Sequence, residues 1–244
     1  MSFNLPTETI DLPSKGLVYP ENHALSDGTI EIKYMTAREE DILTNQNYIK
    51  DGTVLDKLLE SLIITKFNYN DLVIGDKNAI MIASRILGYG AEYKFTYNGA
   101  EETIDLSQIE NKPLDESLYT KGQNEFTFDL PNSDNSITFK LLTHGDEVKI
   151  NQELEGIKKI KRNSSPELTT RLKHMVTSIN GDPEKKNIRE FVDQAFLARD
   201  ARAFREFIQK IQPDVDLTFF PSTKTTSVSI PIGINFFWPD ADIS

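Results

Sequence analysis

The order in which hydrophobic periods follow one another constrains this chain more than any single motif. Strand-like alternation and helix-like three- and four-residue spacing come in blocks, whereas a parallel doubly wound sheet needs them to alternate regularly. Residues 29–35 alternate around Ile30, Ile32 and Tyr34. Thr36 and Glu39 then form a capping-box signal ahead of a predicted helix over 37–49. Asp51-Gly52 interrupts it, and Thr53 is placed to cap a second helix carrying Val54, Leu55, Leu58, Leu59 and Leu62. A third helix is expected from about Asp76 until Gly88 and Gly90.

Hairpins follow. Asn98-Gly99 between residues 92–97 and 101–106 is a type I′ turn signal, because both residues accept positive φ. A second strand pair is expected over 125–130 and 136–142. The next third reads as helical: one helix from Thr143 or Gly145 to about Lys161, and one capped by Ser165 with Pro166 at its first position, ending near Asn180-Gly181. A long third helix is expected over 182–212, stopped by Pro213. The tail returns to strand over 225–231 and 234–238. These blocks predict an α+β fold with an extended, proline-bearing arm over 1–28, a mixed region over 29–142, a helical region over 143–213 and a β tail over 214–244.

Composition narrows the function. Asp and Glu outnumber Lys and Arg by 38 to 27, a net charge of −11, so phosphate backbones and anionic membranes are repelled. The basic run Lys158, Lys159, Lys161 and Arg162 is read as the solvated end of a helix. With no cysteine, thiolate catalysis, disulfides and Cys-based metal sites are excluded. No export signal opens the chain, and no apolar run approaches the roughly 20 residues of a membrane span.

A search for chemistry finds little. No two of His23, His144 and His174 stand at the spacing of a helical metal pair, and all three read as surface or capping residues. Gly88-Tyr89-Gly90 follows a helix rather than a strand, so it reads as a helix stop. Glu39-Glu40-Asp41 fits a helix N-terminus, and Glu101-Glu102 a solvated strand edge. No catalytic residue, cofactor or small-molecule substrate is expected. In the cluster Arg199-Asp200-Ala201-Arg202, two readings stand: a surface pair of Arg202 with Glu206, or an inward or partner-facing Asp200 and Arg202 that fix helix register. Leu12, Pro13 and Tyr19 of the arm and Phe236, Phe237 and Trp238 of the tail are the expected partner contacts, with packing inside the chain as the other reading.

Three segments together resemble a known family. They are Ile10-Asp11-Leu12-Pro13-Ser14-Lys15-Gly16-Leu17-Val18-Tyr19-Pro20, the run Met35-Thr36-Ala37-Arg38-Glu39-Glu40-Asp41 continuing through Asp51-Gly52-Thr53, and Ala198-Arg199-Asp200-Ala201-Arg202-Ala203-Phe204 with the closing Phe236-Phe237-Trp238-Pro239. In this order they are similar to the baseplate hub proteins of T-even-type contractile-tailed bacteriophages and their marine myovirus relatives. Some members of that family carry a zinc-ribbon-like insertion, but here Tyr89-Gly90 leads straight into the hairpin, so zinc is not carried over. The resemblance implies a non-enzymatic subunit or a transient assembly chaperone of the tail baseplate hub. Its partners would be other hub and tail proteins, its location the tail baseplate of the virion and, during assembly, the host cytoplasm. It also implies that Asp200 and Arg202 are structural positions.

Overall fold

The computed structural model describes residues 5–160, 166–222 and 226–237. The fold is α+β, with helices packed against small antiparallel sheets. Strand β1 (Thr7–Asp11) pairs with β2 (Thr29–Lys33), Ile10 opposite Ile30. The chain between them is no extended arm. It folds into successive turns closed by Leu12 N–H donating to the Gly28 carbonyl at 2.8 Å. Leu12, Val18 and Leu25 point inward and anchor it, which a purely extended segment could not do. Gly16 is required there: its φ is +74°, and a Cβ would stand 2.2 Å from the Ser26 carbonyl oxygen.

Thr36 opens α1 (Ala37–Leu43) with the expected capping box. The helix predicted over 37–49 is in fact two. Asn45 accepts from the backbone N–H of Asn47 and Tyr48 and starts α2 (Gln46–Lys50), a local side-chain bond that competes with helix continuation. In α3 (Val54–Leu62) the apolar stripe is buried except for Leu55, which is half-buried, and the Thr53 hydroxyl makes no capping bond. The central helix α4 (Ile74–Tyr89) is apolar on several faces and enclosed by its neighbours. Next come β3 (Glu92–Tyr97) and β4 (Ala100–Asp105), joined by Asn98 and Gly99 at φ 49° and 82°.

β5 (Phe126–Asp129) and β6 (Ser136–Phe139) form the second hairpin, and a third strand joins it. The long helix α5 (His144–Ile160) is followed by α6 (Glu167–Met175), where Pro166 stands at the cap rather than inside the first turn. Ser165 lies outside the described residues, as do Lys161 and Arg162. The helix expected to reach Asn180 stops at Met175. Val176–Ile179 instead form β7, because β-branched Val176, Thr177 and Ile179 complete the sheet edge on β6.

The helix predicted over 182–212 also divides, into α7 (Lys185–Gln194) and α8 (Ala198–Ile211). At the break, the N–H groups of Ala195 and Phe196 both donate to the Phe191 carbonyl at 2.8 Å. Phe196 then packs against Phe191, ring centroids 5.3 Å apart. In the tail, β8 (Thr218–Phe219) pairs with β9 (Val228–Ser229), and the expected last strand is instead a single helical turn, α9 (Ile234–Phe237). One hydrophobic core runs through all of this, from Leu12 to Phe237. Its aromatic centre lies between the three-stranded sheet and α8, where Phe139 and Phe204 meet edge-on at 4.8 Å. No helix among the described residues is long and apolar enough to cross a membrane.

Candidate interaction surface

Most residues expected to face a partner are consumed by the fold itself. Leu12 and Tyr19 are 1% and 3% exposed, Pro13 is buried, and Phe236 and Phe237 are fully enclosed. Trp238 lies outside the described residues. The arm is held by one carboxylate. Asp76, in the first turn of α4, accepts from the Ser14 N–H at 2.9 Å, the Ser14 hydroxyl at 2.7 Å and the Tyr19 hydroxyl at 2.7 Å. The Tyr19 oxygen in turn accepts from the Val73 N–H at 3.1 Å. Burial dominates at Asp76 and lifts its pKa to about 6, against the pull of the Ser14 and Tyr19 donors. The tail is held by one cation: Arg85 of α4 donates from Nε to the Phe236 carbonyl at 2.7 Å and from Nη1 to the Gly90 carbonyl at 2.9 Å.

Asp200 and Arg202 part company. The Asp200 carboxylate points inward and accepts from the Asn132 N–H at 2.8 Å, Asn132 Nδ2 at 2.9 Å and the Ser133 hydroxyl at 2.8 Å. It thereby locks the β5–β6 turn onto α8. Burial opposes the Asp200 charge, but the Asn132 and Ser133 donors together outweigh it and hold the pKa below its ordinary value. Arg202 is exposed and pairs with Glu206 at 2.9 Å, so it takes no part in fixing register.

Sequence reasoning missed the joints on the other side of these bonds. Asp76 and Arg85 lie in an apolar helix and are both buried, a pattern that demands partners. The partners that tie down the arm and the tail are 57 to 151 residues away, which no local spacing reveals, while Gly90 is a near neighbour of Arg85. Glu39 stands at the helix N-terminus as read, and it is also fully buried. Burial alone would raise its pKa, but hydrogen bonds from Lys33, Thr36 and Ser61 hold it at about 2. Glu102 is likewise buried, accepting from the Ser222 N–H at 2.9 Å.

The histidines are more embedded than their sequence context suggests. His23 stacks on Tyr19, and His174 lies 3.0 Å from Glu153. His144 is buried at the start of α5, 3.4 Å from Lys77, which pairs with Asp56. Burial lowers the His144 pKa, with Lys77 adding to the effect and Asp56 opposing it. The Tyr69 hydroxyl also donates to Asp56, at 3.1 Å, so this cluster joins α3, α4 and α5. Among the described residues, no group of three or more His, Cys, Asp or Glu side chains could hold a metal ion.

What the fold leaves open is an apolar cleft of about 430 Å³ between the start of α4, Leu141-Leu142, α6 and α8. Leu141, Leu172 and Ile208 form its buried floor. On its rim Leu168 is 42% exposed, and Arg171 makes a two-pronged bond to Glu147. Arg205 also lines it, with no carboxylate partner among the described residues. An apolar floor with polar groups at the rim is the anatomy of a protein-contact site. Comparison of the chain with protein-family models, with curated proteins and with solved structures finds no match.

Proposed function

We propose that this chain is a non-enzymatic structural or assembly subunit of a phage tail baseplate hub, acting through protein–protein contacts. The observation that carries the reading is the order of the three resembling segments, which together reach from Ile10 to Pro239. Its support is physical as well. Ser14, Tyr19, Asp200 and Phe236 within those segments close the fold, which is the use a scaffold makes of its distinctive residues. Contact with neighbours then falls to the cleft around Leu168 and Arg205 rather than to the arm and tail. The segment that fits it offers an apolar side chain for the floor and a carboxylate for Arg205.

The test is recovery of the tagged full chain from infected cells, with hub and tail proteins identified by mass spectrometry. Specific recovery of tail components is expected, reduced about ten-fold by Leu168→Asp, a change worth about 1.4 kcal/mol of binding. Counting the chain in purified particles separates a resident subunit from a transient chaperone. Recovery of no tail component would overturn the proposal.

A further inference from the structure

On the opposite side of α6 from the apolar cleft lies a recess of about 380 Å³ with a different chemistry. Lys140, Lys149, Lys173, Lys185, Arg189 and His174 line it, and Asp146 is the one carboxylate among its lining residues. The crowding stands out in a chain of net charge −11. Three of the cations are already neutralised. Lys140 holds Asp146 at 2.6 Å, Lys173 holds Asp193 at 2.6 Å, and Arg189 holds Glu153 at 2.8 Å. Glu153 is shared with His174 at 3.0 Å, so both of its oxygens already face partners.

Lys149 and Lys185 remain. Neither has a carboxylate partner among the described residues, and both are exposed at the mouth of the recess. Asp182, three residues from Lys185, keeps its charge but is turned to Asn187 at 2.7 Å and is not among the residues that line the recess. Two like charges held at one concavity repel each other and focus a positive field there. An anion entering the recess relieves that repulsion and gains charge-assisted hydrogen bonds.

We propose that this recess binds an acidic peptide segment of a partner protein, with Lys149 and Lys185 supplying the uncommitted charges. The walls favour a peptide over a simple ion. Val176, Pro183 and Ile188 contribute apolar surface, suited to the methylenes of a Glu side chain. Extended nucleic acid is disfavoured on size, because the recess admits only one or two side chains. The recess would act in this way whatever assembly the chain joins.

The experiment is fluorescence anisotropy of the full chain with labelled hexaglutamate at about 0.1 M salt, where charges beyond about 10 Å are screened. Binding is expected, weakened at least about ten-fold by Lys149→Gln with Lys185→Gln. Both side chains are exposed, so the variant keeps its fold, checked by an unchanged thermal transition. Lys94→Glu, an equal change of net charge on the β3–β4 hairpin, is expected to bind like the parent. No binding by the parent chain would overturn the proposal. So would an equal loss in Lys94→Glu, which would mean net charge alone. Displacement of the peptide by an equal concentration of inorganic phosphate would reassign the recess to a free anion. Displacement by single-stranded DNA would reassign it to nucleic acid.

Discussion

Asp76 and Asp200 are built alike and behave in opposite ways. Each lies in the first turn of a helix, each is fully enclosed, and each accepts three hydrogen bonds from a loop more than 50 residues away in sequence. Yet Asp76 has its pKa raised from the ordinary 3.8 to about 6, whereas that of Asp200 is lowered. The difference is depth. Asp76 lies beneath a buried loop, with the charge of Asp214 adding to the desolvation. Asp200 lies beneath the β5–β6 turn, whose Asn132 is itself exposed. Donor count does not decide ionisation here. The dielectric surrounding the same three donors does.

The largest expected effect comes from removing the deeper carboxylate. Asp76→Ala strands the Ser14 N–H and two hydroxyls inside the core, at a cost of about 3 kcal/mol. Urea denaturation at neutral pH measures this. A loss below about 1 kcal/mol would mean that Leu12, Val18 and Leu25 alone seat the loop, and that the carboxylate is incidental.

A pH series separates the pair by sign. Because its folded pKa is raised, Asp76 contributes stability that is full below about 3.8 and lost as pH rises through about 6. Asp200 has a lowered folded pKa, so its contribution is present above 3.8 and lost as pH falls through the folded value. Asp76→Asn should therefore destabilise more at pH 4 than at pH 7.5, by roughly 2 kcal/mol. Asp200→Asn should do the reverse, its penalty shrinking toward acid. Differences from the parent chain at each pH cancel the other titrating groups. Profiles of the same slope for both variants would break the contrast.

Local chemistry was legible in the sequence where one short stretch carries all of it. The Thr36 capping box, the Asn98-Gly99 hairpin and the stripe of Val54, Leu58, Leu59 and Leu62 are such cases. Helix lengths were misread wherever a side chain or a sheet edge overrode periodicity. Asn45 capped a new helix, Val176 joined a sheet, and Phe196 turned to meet Phe191. The candidate surface was not legible at all. Leu168 and Arg205 converge from α6 and α8, which β7 and α7 separate in the chain, and Lys149 and Lys185 from α5 and α7. Aromatic residues drew the contact expectation to Phe236 and Phe237, but burying large rings also serves the core, and here the core takes them.

The smallest effect tests the same helix that carries Asp200. Arg202 is two residues further on, about 200° around the axis, which puts it on the solvent side when Asp200 is inside. Its bond to Glu206 joins two exposed side chains four residues apart, and such pairs contribute about 0.3–0.5 kcal/mol. Arg202→Ala should shift the urea midpoint barely beyond error, and a double substitution with Glu206→Ala should add no further coupling above that range. A loss beyond about 1 kcal/mol would mean that Arg202 helps set helix register after all, which Asp200 alone is argued to do.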